Sequence, residues 1–188
     1  MNKIIRCPWA EKTEEERSYH DNEWGRPLHD ERKLFEMLIL EGQQAGLSWS
    51  IILKKRENFR KAYDNFDPEK IAHYNSKKID ELFMNSGIIR NKLKINAAIT
   101  NAKAYLKLKE SNGSLDSYLW EFVDKKPIIN HWNESAQLPV KSQLSDSITK
   151  DLKKRGFKFI GSTTIYSYLQ AVGIIDDHLL TCFIRSNH

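Results

Sequence analysis

Four residues near the two ends of the chain have the types and spacing for metal chemistry. Twelve residues separate Cys7 from His20, and three separate His178 from Cys182. Two thiolates and two imidazoles make a closed tetrahedral shell for zinc, the kind found in structural sites, with no position open for a reacting water. His178 and Cys182 form an i, i+4 pair, which shares one face if the tail is helical. The plainer alternative is two buried thiols and two surface histidines. His29, His73, His131 and His188 show no ligand spacing. In a reducing compartment so distant a Cys pair points to metal or to incidental thiols rather than to a disulfide.

A second set combines aromatic rings with acids. Tyr-His-Asp-Asn-Glu-Trp-Gly (19–25) precedes the first long helical pattern, and Leu-Glu-Gly-Gln-Gln-Ala-Gly-Leu-Ser-Trp (40–49) joins the first two. Glu41 ends an apolar face that includes Ile39 and Leu40. A carboxylate there either leaves the core at the helix end or points into a pocket. Tyr19 and Trp49 could wall a pocket for a flat ligand. An extruded nucleobase needs such a set, aromatic faces for stacking and a polar group for the base edge. The alternative is that these rings are ordinary core.

A third feature is the turn Leu-Phe-Met-Asn-Ser-Gly-Ile-Ile-Arg-Asn-Lys (82–92) between two helical patterns. Gly87 permits a positive φ, and a helix start just beyond it offers free amides and a dipole to a phosphate. Arg90, Lys92 and Lys94 add positive charge. The turn resembles a helix-hairpin-helix element, although Ile89 stands where a second glycine is usual. The alternative is a plain helical corner with Ile88 and Ile89 in the core.

The elements that must position these residues read as nearly all helix. Leu34, Phe35, Leu38 and Ile39 repeat at helical spacing, with Asp30 as cap and Gly42 as stop. Further helices are expected from about Ser48 to Tyr63, from Asp67-Pro68 to about Tyr74, from Ser76 to a stop at Gly87, over Asn91–Glu110 and over Ser114–Val123. Pro127–Pro139 lacks periodicity and reads as a loop. Ser145 is expected to cap a helix ending before Gly156, and Ser162 or Thr163 to start one ending at Gly173. The tail from Asp176 is expected to hold one more helical turn. With no internal repeat or linker, residues 1–188 form a single domain.

Composition bounds the classes. The chain has 188 residues, 40% hydrophobic and 29% charged, an ordinary globular balance able to build a core without disulfides. No apolar run approaches the roughly 18 residues that span a bilayer, and the first residues lack the apolar stretch of a signal peptide. A cytoplasmic protein with no membrane partner is expected. The net charge of +5 suits a phosphate-binding face without requiring one.

The stretches 19–25, 34–37, 40–49, 53–58, 87–90 and 152–159, the last reading Leu-Lys-Lys-Arg-Gly-Phe-Lys-Phe, closely resemble the 3-methyladenine DNA glycosylase I family. The resemblance spans Cys7 to Cys182. It implies an all-α helix-hairpin-helix glycosylase fold, with zinc held by Cys7, His20, His178 and Cys182 joining the two ends of the chain. It implies base flipping and hydrolysis of the N-glycosidic bond of N3-methyladenine in alkylated double-stranded DNA, releasing free 3-methyladenine. Glu41 would contact the damaged base and serve as the catalytic carboxylate. Tyr19 and Trp49 would line the pocket together with Trp9 and Trp24, while Gly87, Arg90 and Lys92 would hold DNA. A monomer is expected. After Cys182 the chain departs from the Cys-rich ending of some relatives, which bears on tail packing. No acid follows Gly87 until Glu110, which argues against an aspartate placed after the hairpin and against a bifunctional lyase. Two other classes stay open on the residues alone: a non-catalytic DNA-binding module, and a metal-dependent hydrolase, against which the closed four-ligand shell speaks.

Overall fold

Polar side chains cap most of the helices at or next to the expected starts. The computed structural model describes residues 4–185; residues 1–3 and 186–188, including His188, lie outside the described residues. Thr13 caps α1 (Glu14–Asn22) by accepting from the Glu16 amide. Asp30 caps α2 (Glu31–Gln44), and Ser48 stands at the cap position of α3 (Trp49–Ala62). Asp67 accepts from two amides of α4 (Pro68–Ala72), where Pro68 occupies the first turn. Asn75 caps α5 (Ser76–Met84) and Asn91 caps α6 (Lys92–Asn112), both by accepting first-turn amides. Ser114 caps α7 (Leu115–Glu121).

Three boundaries differ from expectation. Gly42 does not stop α2. The helix runs two residues further to Gln44, and the break falls at Ala45 and the positive-φ Gly46. Ser142, not Ser145, caps α8 (Gln143–Lys154), with Ser145 at the third helical position completing a reciprocal capping box. The tail forms no helical turn at Asp176. Ile175–Asp176 (β2) instead pairs in parallel with Ile128–Ile129 (β1), and irregular turns follow. His178 and Cys182 therefore do not meet through helical i, i+4 spacing. The region 127–139 is mostly loop, but it also carries β1 and a 3-10 turn at Ser135–Gln137.

Helix α2 is the centre of the molecule. Every residue from Leu34 to Gln43 is buried, as expected of a helix surrounded on all sides. It packs against α3, α6, α7 and α9 (Ser162–Ala171). One apolar cluster runs from Cys7 to Ile184 and draws on nearly every helix. No helix of the described residues is long and apolar enough to cross a membrane.

Two ionic tethers fix the functional elements to this core. Arg56 of α3 is buried and binds Glu36 of α2 at 2.6 Å and Glu23, just after α1, at 2.8 Å. Lys94 of α6 is 6% exposed, and its ammonium donates to the carbonyls of Gln43 and Ala45, both at 2.7 Å. It satisfies orphan carbonyls at the end of α2 and ties α6 to the loop that leads into Trp49.

Candidate active site

The five residues expected to form a pocket do so. Trp9, Tyr19, Trp24, Glu41 and Trp49 line one cavity of about 360 Å³. Each comes from a different place: a 3-10 turn (Pro8–Glu11), α1, the turn after α1, the last turn of α2 and the first residue of α3. Trp9 packs edge-on against Trp24 at 5.1 Å, and Tyr19 lies tilted against Trp49 at 5.5 Å between ring centres. The rings are thus both core and cavity wall, so the two sequence readings of them are compatible.

Glu41 is the unusual member. It is 4% exposed. Burial raises its carboxyl from 4.5 to about 8, with no other cause contributing. A buried carboxyl without a partner is costly to ionise, and such groups cluster at functional sites. Tyr19 is close enough that burial first, and the Glu41 charge next, hold its phenol well above the usual range. The buried indole N–H of Trp49 also has no partner among the described residues. A cavity with a buried acid, an unpaired donor and several aromatic rings can stack a planar molecule and bind its polar edge; a cation among those rings gains further.

Behind this cavity lies the cysteine–histidine cluster. Ligating atoms of Cys7, His20 and Cys182 lie within 4.8 Å of one another, and all three residues are buried. Both cysteines are free thiols. His20 Nε2 is 3.5 Å from the Cys182 sulfur, while its Nδ1 is 2.9 Å from Asp21 Oδ1. The ring of His178 meets that of His20 at 4.9 Å. His178 Nδ1 lies 2.7 Å from Asp176 Oδ1, which leaves its Nε2 buried and unpaired. Each imidazole therefore has one nitrogen on a carboxylate and the other turned away, the arrangement that orients histidine toward a metal. Both histidines are buried, so the reading of them as surface residues fails. Cys7, His20 and Cys182 form a three-donor group of the chemistry that zinc takes; His178, the fourth residue expected, meets the His20 ring and has an orphaned Nε2 but is not among the three whose ligating atoms lie within 4.8 Å. Gly25 makes room for this cluster. At φ +71° its hypothetical Cβ would lie 2.6 Å from His178 Cε1.

The cluster and the cavity share walls. Trp24 stacks on His20 at 6.0 Å and meets His178 edge-on at 4.5 Å, and Trp9 also packs against His20. Consecutive residues of α1 serve the two sites, with Tyr19 lining the cavity and His20 in the cluster.

The hairpin forms between α5 and α6, but two details differ. Gly87 does not adopt a positive φ. Space is tight there instead, since an added Cβ would lie 2.9 Å from Asn85 Oδ1 and 3.2 Å from Asn58. Lys94 faces inward and offers no charge to solvent, whereas Arg90 and Lys92 are exposed. Asn91 occupies the amides of Leu93 and Lys94. Among the described residues, the amides of Ile89, Arg90 and Lys92 take part in no hydrogen bond. Ile88 is buried and Ile89 half-buried, so the corner is also part of the core.

Sequence reasoning missed several cavity residues. Glu16 lies one helical turn before Tyr19 on the same face, a signal that could have found it. Gln170 and Ser167 come from α9, and Leu138 comes from the irregular region. No local pattern links them to cavity residues so far back in the chain. Gln170 is held by Asp177, a fully buried carboxylate that also accepts from Asn130, Trp132 and Tyr166.

A helical core with an aromatic pocket around a buried acid, and a hairpin with unbonded amides, has the shape and chemistry to take a planar, polar-edged ligand. Comparison with known proteins gives the particular kind. The methyladenine glycosylase family profile matches residues 9–185, and the chain belongs to that family. It is 48% identical over 177 residues to the DNA-3-methyladenine glycosylase of Haemophilus influenzae, covering 94% of this chain and 96% of that one. It is 45% identical to DNA-3-methyladenine glycosylase 1 of Escherichia coli, covering 94% and 95%. The Staphylococcus aureus 3-methyladenine DNA glycosylase I structure, solved for its recognition of 3-methyladenine, superposes with a TM-score of 0.93 at 37% identity, covering 97% of both chains.

Proposed function

We propose that this protein is a monofunctional DNA glycosylase that excises N3-methyladenine from alkylated double-stranded DNA in base excision repair. The observation that carries this reading is the cavity of about 360 Å³ with its buried, partnerless Glu41 among Trp9, Tyr19, Trp24 and Trp49. Family membership and the relatives' named activity support it.

The chemistry suits so spare a site. Methylation at N3 gives adenine a positive charge, and the base departs neutral, so its glycosidic bond is already weak. The protein need not supply a strong acid. It must extrude the base, stack it and favour the charged form. Entry of the cation makes ionisation of Glu41 favourable, and the carboxylate then accepts from the base edge in a charge-assisted hydrogen bond. Tyr19 and Trp49 supply the stacking faces, with Trp9 and Trp24 completing the wall. Helix α6 carries no acid before Glu110, which argues against an aspartate placed on the helix just after the hairpin. Outside the pocket, the free amides of Ile89, Arg90 and Lys92 and the exposed cations of Arg90 and Lys92 hold a phosphate, with Gly87 allowing the tight corner.

Cys7, His20, His178 and Cys182 would hold zinc, which in this closed donor set supplies structure rather than chemistry. It would join the two ends of the chain and back the Trp24 wall. The protein acts as a monomer on this reading. Titration of the tryptophan fluorescence with free 3-methyladenine tests the pocket. Saturable quenching that adenine does not reproduce is expected, and absence of binding would leave only a DNA-binding module.

A further inference from the structure

The cavity holds a second carboxylate. Glu16 is 7% exposed and lines the same wall as Tyr19 and Glu41. One of its oxygens, Oε2, accepts from the Thr13 hydroxyl at 3.1 Å. The other, Oε1, makes no hydrogen bond among the described residues. In the common capping arrangement a glutamate at this helical position would reach back to the backbone amide of the cap residue. Glu16 takes the hydroxyl instead, and so one oxygen remains available. A buried carboxylate whose second oxygen the helix cap does not use, lining the same cavity as the partnerless Glu41, is poorly explained by capping alone. A cationic ligand in the cavity can be shared by both carboxylates.

We propose that Glu16 is a second base-reading residue, which with Glu41 makes the pocket selective for the positively charged form of an N-alkylated purine over its neutral form. The inference rests on the reading of this cavity as the base pocket. Glu16 adds negative potential from α1, while Glu41 comes from α2. It is thereby a specificity residue.

The test compares two probes by tryptophan fluorescence: free 3-methyladenine at a pH where it is neutral, and permanently cationic 3,9-dimethyladeninium. Glu16→Gln keeps the size, the Thr13 contact and a neutral acceptor but removes the charge. It should weaken cation binding about five- to tenfold, the difference between a charge-assisted and a neutral hydrogen bond. Neutral-base affinity should stay within about twofold, with melting unchanged. Thr13→Val should lower the melting temperature while keeping the preference for the cation. Equal losses for both probes, or none for either, would overturn the inference and leave Glu16 a helix cap. Glu41→Gln is run alongside. If it loses cation binding while Glu16→Gln does not, only the Glu16 inference falls; if both are silent, the pocket assignment itself falls.

Discussion

Glu41→Gln should cost activity and gain stability, an unusual pairing that follows from one buried group. The amide keeps the shape of the carboxylate and removes its charge. Burial raises the Glu41 carboxyl from 4.5 to about 8. In the unfolded chain it titrates near the lower value, so between the two the folded state binds more protons. Stability of the parent therefore falls as pH rises from about 4.5 to about 8 and levels off above. At about 1.36 kcal/mol per tenfold change in ionisation constant, the ceiling on this loss is about 5 kcal/mol. Glu16, Tyr19 and Lys12 share the cavity, but none offers Glu41 a hydrogen bond that would remove the cost. Glu41→Gln should thus melt higher than the parent at pH 9 and close to it at pH 5. For catalysis the sign reverses. Losing a charge-assisted contact worth roughly 1.5–3 kcal/mol should slow single-turnover excision about ten- to a hundredfold. The parent rate should rise toward pH 8 as the carboxylate forms, and the variant should lack that rise. Undamaged duplex affinity should not change, since it comes from phosphates. Thermal melts at the two pH values, with single-turnover rates on methylated duplex, make the comparison. Unchanged excision in a variant that melts like the parent at pH 9 would refute the reasoning.

Other perturbations separate the remaining parts. Cys182→Ala should reduce bound zinc and lower the melting temperature, because structural zinc couples binding to folding; metal analysis of parent protein prepared without chelators should find zinc. Gly87→Val should weaken duplex binding through the crowding at Asn85 and Asn58 while leaving free-base affinity within about twofold, and parent affinity should fall steeply with salt. Lys94→Met should leave the end of α2 without donors and destabilise by roughly 1–3 kcal/mol in denaturant titration, with no change in the salt slope, because Lys94 faces inward.

The parts of the fold legible in the sequence are those with a local cause. Asp30, Asp67-Pro68, Asn91 and Ser114 place helix starts because each side chain reaches amides only two or three residues away. Ser145 reads as the cap of α8 because the second serine of a reciprocal box looks like one, whereas Ser142 holds that position. The tail reads as helical although it is not, because β1 and β2 meet across 47 positions, a pairing that no local pattern encodes. Lys94 looked like part of a basic face, yet the turn of α6 that exposes Lys92 carries Lys94 under the end of α2. Tyr19, Glu41 and Trp49 were readable as a set because acids and aromatics crowd two short segments. Gln170 was not, since its place in the cavity depends on Asp177 and on the packing of α9.

Excision itself tests the central claim most directly. Purified protein is incubated with duplex DNA methylated to contain N3-methyladenine, and released bases are identified by mass while abasic sites are counted. The account predicts release of 3-methyladenine with one abasic site for each base, no strand cleavage and no release of unmodified adenine. Tight binding to the same DNA with no base released, by protein that is folded and metal-loaded, would contradict it.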